Sequence, residues 1–225
     1  MSPQTVKLKL PKELRHIELG KTLVNKDLYF EAFDHFKKSI DTNPDCAIDI
    51  LTYLYKRQLH KKTHTNLQLI IAKIYIEMNF HNEAFDVFEE TLEDNPHHEP
   101  TYEALAKLMS KKPLTLKIKQ CFELAIKKEI YFPSIINILP KIYLEEKNYT
   151  KAINLYNQLI TIDPKEYSYY KILSELHFRK LDYEAASETL HQLITIAPFK
   201  SEELLQPIEQ IIQKIPRHPV IRTLY

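Results

Sequence analysis

The stretch NYTKAINLYNQLITIDP, residues 148–164, has a form that recurs along the chain. An alanine stands at its fifth position and a proline at its seventeenth. Apolar residues follow the alanine at helical spacing, which predicts an amphipathic helix that ends at the proline. Three more segments share this form: LYFEAFDHFKKSIDTNP (28–44), FHNEAFDVFEETLEDNP (80–96) and DYEAASETLHQLITIAP (182–198).

The spacing of these segments predicts stacked repeats. The alanine position recurs at one constant interval, from Ala84 through Ile118 and Ala152 to Ala186. A fixed period of about 20–50 residues is typical of a solenoid. A second amphipathic pattern, such as LQLIIAKIYIEM (67–78), precedes each ending, so each period holds two helices. One helix pair cannot bury its apolar face alone, and we therefore expect the pairs to stack.

Each part of the repeated ending has an expected role in packing. The alanine lets two helices approach closely, and the proline stops the second helix. A large residue four positions after the alanine is expected to fill the space towards the next pair. In the five units this residue is Phe36, Phe88, Phe122, Tyr156 or Leu190.

With these residues the chain resembles a tetratricopeptide repeat protein over most of residues 13–198. The small-residue pairs of that family are matched by Gly20 with Ala32, Ala72 with Ala84, Ala106 with Ile118, Pro140 with Ala152, and Ser174 with Ala186. Tyr75 and Tyr143 match its first-helix aromatic residue, and Tyr102 and Tyr170 stand at its tryptophan position. The resemblance implies an all-α fold, a right-handed α-solenoid of stacked antiparallel helix pairs. In this family the first helices line a concave groove that takes peptides or partner helices.

The period also sets the expected domain boundaries. The separation of Ala32 from Ala84 exceeds one period by roughly half a period, which predicts an extra helix. That helix either packs sideways or turns the first pair away from the rest, and in both cases we expect a continuous concave surface only from residue 65 onward. Pro140 predicts a kink near Ile136. The expected parts are an N-terminal extension (1–12), helix pair 1 (13–44), the inserted helix (45–62), four helix pairs within 65–198 (65–96, 99–130, 133–164 and 167–198), and a capping helix with a tail (199–225).

Composition excludes several classes of function. The chain has 225 residues, a net charge of +1 and a single glycine. Glycine-rich phosphate loops cannot be built with one glycine, and a near-zero net charge gives no general attraction to nucleic acid. No apolar run is long enough for a membrane span. If Met1 is the native start, the absence of a signal sequence predicts a cytoplasmic protein with Cys46 and Cys121 reduced.

No catalytic or metal site is predicted. His60 and His64 lie on one face of a predicted helix, but zinc needs more ligands, and histidine is also favoured at a helix end. We expect Cys121 to be a packing residue, and His97 and His98 to be solvated. The chain is therefore predicted to be non-enzymatic, with no metal and no cofactor.

The groove implied by the resemblance carries residues in phase on the first helices. Lys73, Lys107 and Lys141 are separated by one period each and form a basic spine. The predicted groove set is Lys73, Glu77, Glu103, Lys107, Lys111, Asn137, Lys141, Glu145, Lys171, Glu175 and Arg179. Lys21 and Asn25 have the same phase in the first pair, and Leu69 lies one turn before Lys73. We predict that an acidic or mixed-charge peptide or helix of a partner protein binds there, although surface lysines with packed stems would show the same spacing.

A candidate basic patch lies in YKRQLHKK (55–62) and consists of Lys56, Arg57, Lys61 and Lys62. Such a run can contact an acidic partner, membrane headgroups or RNA phosphates. It is also typical of a solvated helix C-terminus, where cations are favoured.

The leading hypothesis is a non-enzymatic scaffold or adaptor for other proteins within an assembly complex. One alternative is an RNA-associated helical-repeat protein, which salt-sensitive binding to random RNA would favour. The other is a regulatory segment of a longer enzyme, which a longer native reading frame would favour.

Overall fold

The computed structural model describes residues 11–60, 65–109 and 115–196. Two compact units divide the chain, with the boundary between Ile136 and Asn137. Lys61, Lys62, Lys111 and the predicted capping helix in 199–225 lie outside the described residues. The helices are α1 (Lys12–Asn25), α2 (Tyr29–Thr42), α3 (Cys46–His60), α4 (Thr65–Glu77), α5 (His81–Asp94), α6 (Glu99–Leu108), α7 (Thr115–Lys127), α8 (Pro133–Ile136), α9 (Leu139–Glu145), α10 (Tyr149–Ile162), α11 (Tyr167–Arg179) and α12 (Tyr183–Ile196).

Packed helix pairs build each unit. In the first unit α1 packs on α2 and α4 packs on α5, while α6 contacts α5, α7 and α8. In the second unit α10 contacts both α9 and α11, and α11 packs on α12. The described residues form helices joined by turns and contain no strand. The predicted all-α fold of stacked antiparallel helix pairs is therefore confirmed.

Small residues let the paired helices approach closely. Ala32, Ala84, Ala152 and Ala186 are completely buried. Gly20 shows how little room there is, because a Cβ atom placed on it would lie 2.3 Å from Cε1 of Phe36. The large residues that were predicted to fill the stack are all buried, namely Phe36, Phe88, Phe122, Tyr156 and Leu190.

Residues in the left-handed region end several of the first helices. Asn79, Lys147 and Leu181 have φ values of 62°, 56° and 65°. The N–H of the following residue then donates to a carbonyl five positions back, as from Phe80 to Tyr75 at 2.8 Å. This is the Schellman arrangement, which satisfies the last carbonyls of a helix. Glycine usually fills the position, and a residue with a side chain there costs about 1–2 kcal/mol.

The residue before three of the closing prolines shapes the turn between pairs. Its side-chain oxygen accepts the backbone N–H two residues further on, at 3.1–3.2 Å, in Asn43, Asn95 and Asp163. The hydroxyls of Tyr102 and Tyr170 donate to the carbonyl oxygens of Pro96 and Pro164, each at 3.0 Å. The tyrosines that replace the family tryptophan therefore tie the next helix to the preceding turn.

The first helix of the pair at 133–164 is interrupted. Helix α8 ends at Ile136 and α9 begins at Leu139, so Pro140 lies in the first turn of α9. Proline is tolerated there because its missing N–H would have no partner within the helix. The kink predicted near Ile136 is confirmed, and it takes the form of a break in the helix.

The inserted helix α3 packs on α2 and α4 and also reaches α1. The hydroxyl of its Tyr53 lies 3.1 Å from the carbonyl oxygen of Lys21 and 3.2 Å from Oδ1 of Asn25. Lys21 and Asn25, which lie in the first pair at the positions equivalent to the predicted groove residues, therefore contact α3. Helix α2 also contacts α4 directly, so the first pair remains packed on the second pair.

Gly20→Ala is expected to destabilise the first unit, because the added methyl group overpacks the buried ring of Phe36. Overpacking costs about 1–3 kcal/mol, against about 1 kcal/mol gained in helix propensity. Urea unfolding measures the difference from the wild type. In a Phe36→Leu background the substitution is expected to be neutral or stabilising. An equal cost in both backgrounds would contradict the proposed contact.

Leu181→Gly is expected to stabilise the second unit by about 0.5–1 kcal/mol, because glycine adopts the left-handed conformation without a steric cost. Leu181 is 70% exposed, so its removal sacrifices little packing. Leu124, which is 53% exposed within α7, is the matched control. Leu124→Gly is expected to cost about 1 kcal/mol in a helix interior. Thermal unfolding of both variants tests whether the two changes in stability have opposite signs.

Candidate functional site

A groove in the first unit is formed by α2, α4 and α6 and has a volume of about 400 Å³. Aromatic, aliphatic and charged side chains share its walls. They are Phe30 and Phe33 of α2, Lys73, Ile76 and Glu77 of α4, and Pro100, Glu103, Ala104, Lys107 and Leu108 of α6. We call this surface the α2–α4–α6 groove.

Lys73 is a half-buried cation in this groove. Its Nζ lies 5.2 Å from the ring centroid of Phe30 and 5.4 Å from that of Phe33. Such cation–π contacts hold an ammonium group over aromatic faces. Burial, and then repulsion from Lys107, lower the pKa of Lys73. A carboxylate placed between these two lysines would relieve the repulsion, and its attraction to Lys73 is strengthened by the partial burial.

Glu77 is already paired within the groove. Nζ of Lys37, on α2, donates to Oε2 of Glu77, on α4. That hydrogen bond raises the pKa of Lys37. The ion pair connects the first helix pair to the second one and partly neutralises the carboxylate. The charges of the groove that are left to a ligand are therefore Lys73 and Lys107, with the carboxylates of Asp34 and Glu103 near Lys73.

The structure brings together part of the predicted groove set. Lys73, Glu77, Glu103 and Lys107 line the α2–α4–α6 groove. The predicted residues of the second unit are exposed or partly exposed there: Asn137, Lys141, Glu145, Lys171, Glu175 and Arg179. Leu69 was expected on the groove face but is buried in the core, with 1% exposure.

The expectation of a continuous concave surface from residue 65 onward stays a prediction, but α2, which precedes residue 65, contributes to the wall of the α2–α4–α6 groove. The sequence interpretation missed Phe30, Phe33 and Lys37. The buried face of α2 is formed by Tyr29, Ala32, Phe36, Ser39 and Ile40. Phe30 and Phe33 lie outside that set, and Phe30 is 50% exposed. Two phenylalanines one helical turn apart, off the apolar face of an amphipathic helix, are the signal that was available.

The candidate basic patch is only partly described. Lys56 is exposed on α3, whereas Arg57 is partly buried and lies near Tyr29 and Tyr53. Arg57 therefore contributes more to the packing around α3 than to an exposed basic surface.

Cys121 lies in a smaller cavity of about 130 Å³ between α5, α6 and α7. Burial, and then the Glu89 carboxylate, raise the pKa of the thiol to about 11. The thiol is therefore protonated at neutral pH, which makes it a poor nucleophile.

Among the described residues, no group of three or more His, Cys, Asp or Glu side chains is placed to hold a metal ion. The side chain of His60 and all of His64 lie outside that part of the chain.

His98 fixes the start of α6, one wall of the groove. Its Nε2–H donates to Oδ1 of Asn66 on α4 at 2.9 Å, and its Nδ1 lies 2.8 Å from Oγ1 of Thr101. The expectation that His98 is solvated is wrong, because the side chain is buried, while the neighbouring His97 is exposed. Burial lowers the pKa of His98 below its ordinary value.

Comparison with known proteins supports the interpretation of the helix pairs. Residues 135–166 match the family model of the tetratricopeptide repeat. The C-terminal part of a TPR repeat-containing protein from Cytophaga hutchinsonii is 14% identical, aligns with 90% of this chain and 81% of its own length, and has a TM-score of 0.56. A MamA structure aligns with 85% of this chain and 94% of its own, at 15% identity and a TM-score of 0.49. MamA from Desulfovibrio magneticus RS-1 aligns with 84% and 97%, at 15% identity and a TM-score of 0.45. No curated protein matches the chain in sequence.

The predicted resemblance to tetratricopeptide repeat proteins is confirmed by the family match and by the fold shared with the Cytophaga hutchinsonii structure. These findings support a protein-interaction scaffold in general terms, of a fold that is typically non-catalytic. None of the described helices is long and apolar enough to cross a membrane.

The stability of the first unit is expected to fall as the pH is lowered from about 7 to about 5. The pKa of His98 is lower in the folded state than its ordinary value of 6.5. The unfolded chain therefore binds more protons in this range, and protonation favours unfolding. Urea unfolding at several pH values measures the slope. The slope is expected to be smaller for His98→Gln, and to be unchanged for the matched control His97→Gln, because His97 is exposed. Equal slopes in all three proteins would contradict the role of His98.

Proposed function

We propose that the chain is a non-enzymatic scaffold that binds an acidic or mixed-charge segment of a partner protein in the α2–α4–α6 groove, as part of an assembly complex. The observation that carries this proposal is the combination of half-buried Lys73, exposed Lys107 and two phenylalanines in one groove. A cation held over aromatic rings can bind a carboxylate while the rings contact an apolar side chain next to that carboxylate.

The two lysines supply the attraction for the partner. Repulsion from Lys107 and burial of Lys73 both disfavour the charged form of Lys73. A bound carboxylate offsets both effects, so part of the binding free energy comes from relieving an unfavourable arrangement. Glu103 is exposed beside them and disfavours a purely acidic segment. A segment of mixed charge therefore fits the groove better than a run of acidic residues.

The apolar wall supplies the anchor. Phe30, Phe33, Ile76 and Leu108 line a volume of about 400 Å³, which is large enough for one or two partner side chains. In protein interfaces, apolar or aromatic anchors in pockets carry much of the binding energy, and peripheral charges set orientation and rate. We therefore propose that the segment places an aromatic or large aliphatic side chain close to an acidic one.

The exposed in-phase residues of the second unit are proposed as a further stretch of binding surface. They include Lys141, which follows Lys107 by the same interval that separates Lys107 from Lys73. The proposal for this stretch rests on the repeat period. It is tested separately from the groove by substitution of Lys141 alone.

Selection from a displayed library of random peptides tests the groove. Selected peptides are expected to combine Asp or Glu with a neighbouring aromatic or large aliphatic residue. A selected peptide should bind the Lys73→Met/Lys107→Glu variant at least about tenfold more weakly. Methionine keeps an unbranched apolar stem between the rings, so the fold is expected to persist.

The matched control is Lys127→Glu, which reverses an exposed lysine on α7, away from the groove. Fluorescence anisotropy with the same labelled peptide should show unchanged binding to this variant. Equal binding to the groove variant and the wild type, or selection of peptides without acidic residues, would refute the proposal.

A further inference from the structure

Helix α3 carries an exposed apolar stripe on the side away from its packed face. Ala47, Ile50 and Leu54 are completely buried against the first unit. On the other side of the helix, Ile48 is 65% exposed, Tyr55 is 38% exposed and Leu59 is 86% exposed. With the exposed Thr52, these residues follow spacings of four, three and four, which is the pattern of a coiled-coil seam. We call Ile48, Thr52, Tyr55 and Leu59 the α3 stripe.

The polar atoms of the stripe are already satisfied within the chain. Oγ1 of Thr52 donates to the carbonyl oxygen of Ile48 at 2.8 Å. The hydroxyl of Tyr55 lies 3.2 Å from that of Tyr75. Covering the stripe with another helix would therefore leave neither hydroxyl without a partner, so its burial avoids the main cost of burying polar groups.

The charged residues beside the stripe can pair with the same residues of a second copy of the chain. Asp49 and Lys56 are exposed, lie two helical turns apart and flank the same edge of the stripe. When two copies of α3 run antiparallel, centred between Thr52 and Tyr55, Ile48 of one copy faces Leu59 of the other. Asp49 of each copy then lies near Lys56 of the other. In a parallel two-fold pairing the charged edges of the two copies would lie on opposite sides of the contact, so these charges would not pair.

We propose that a second copy of this chain covers the α3 stripe, through two-fold antiparallel packing of α3 on α3. Both copies use the same surface in such an isologous contact, so it closes as a dimer. The stripe spans about 18 Å of helix at 1.5 Å per residue, and one helix face of that length buries less area than a standard interface of about 800 Å² per partner. The association is therefore weak and concentration-dependent. It uses a helix that does not line the α2–α4–α6 groove, and it leaves that groove open.

Sedimentation velocity of the full chain from about 5 to about 500 µM tests the proposal, because weak dimers of this size dissociate in the micromolar range. A shift from monomer to dimer is expected across this range. Leu59→Glu is expected to weaken the dimer by at least about tenfold. Leu116→Glu, at a position 61% exposed on α7, is the matched control and should leave the dimer unchanged. Far-UV circular dichroism checks that both variants remain folded.

Charge reversal tests the antiparallel arrangement. Asp49→Lys and Lys56→Asp are each expected to weaken self-association, because each replaces two attractive pairs in the dimer by two repulsive ones. The double variant Asp49→Lys/Lys56→Asp should restore it. An equimolar mixture of the two single variants should form a heterodimer. A monomer at every concentration, a dimer insensitive to Leu59→Glu, or a double variant without restored association would each overturn the proposal.

Discussion

The close approach of two helices over a small residue is the contact on which the rest of the structure depends. Gly20 leaves no room for a methyl group against Phe36, and the alanines of the other pairs are completely buried. The large residue one turn further on is buried in every pair, and Tyr156 of α10 also meets Tyr169 of the following pair, with ring centroids 6.1 Å apart. Recurrence at a fixed period then keeps equivalent faces in phase, which is how lysines one period apart come to share one side of successive first helices.

The inserted helix adds contacts with the first two helix pairs at the N-terminal end. Tyr53 of α3 contacts the backbone of Lys21 and the side chain of Asn25, the residues in groove phase on α1. Helix α2 packs directly on α4 and contributes Phe30 and Phe33 to the groove wall. Phe30 and Phe33 of this second helix thus add two aromatic rings to a groove whose other walls are the first helices α4 and α6. These rings convert Lys73 from a surface cation into a half-buried and oriented one.

This arrangement has an energetic consequence for recognition. Desolvation and a neighbouring lysine both disfavour the charge on Lys73, while the ring faces compensate in part. The Lys37–Glu77 ion pair removes one carboxylate from competition for that charge. Under the proposed function, this arrangement would favour an anion that is accompanied by apolar surface. His98 keeps the α6 wall in place by a partly buried hydrogen bond to Asn66 of α4.

Much of this protein follows from its sequence alone. The repeat period and helical spacing predicted the stacked pairs and the buried residue after each alanine, because these features depend on burial that recurs at one interval. Pro140 by itself predicted a kink near Ile136, where the helix is interrupted. The same period placed Lys73 and Lys107 on a common face. Only the tertiary structure decided that α2 forms part of the groove, that Lys37 pairs with Glu77, and that Leu69 and His98 are buried. These outcomes depend on contacts between helices of different pairs, such as Lys37 with Glu77 and His98 with Asn66, and a hydrophobic period does not encode which polar side chains meet across such a contact.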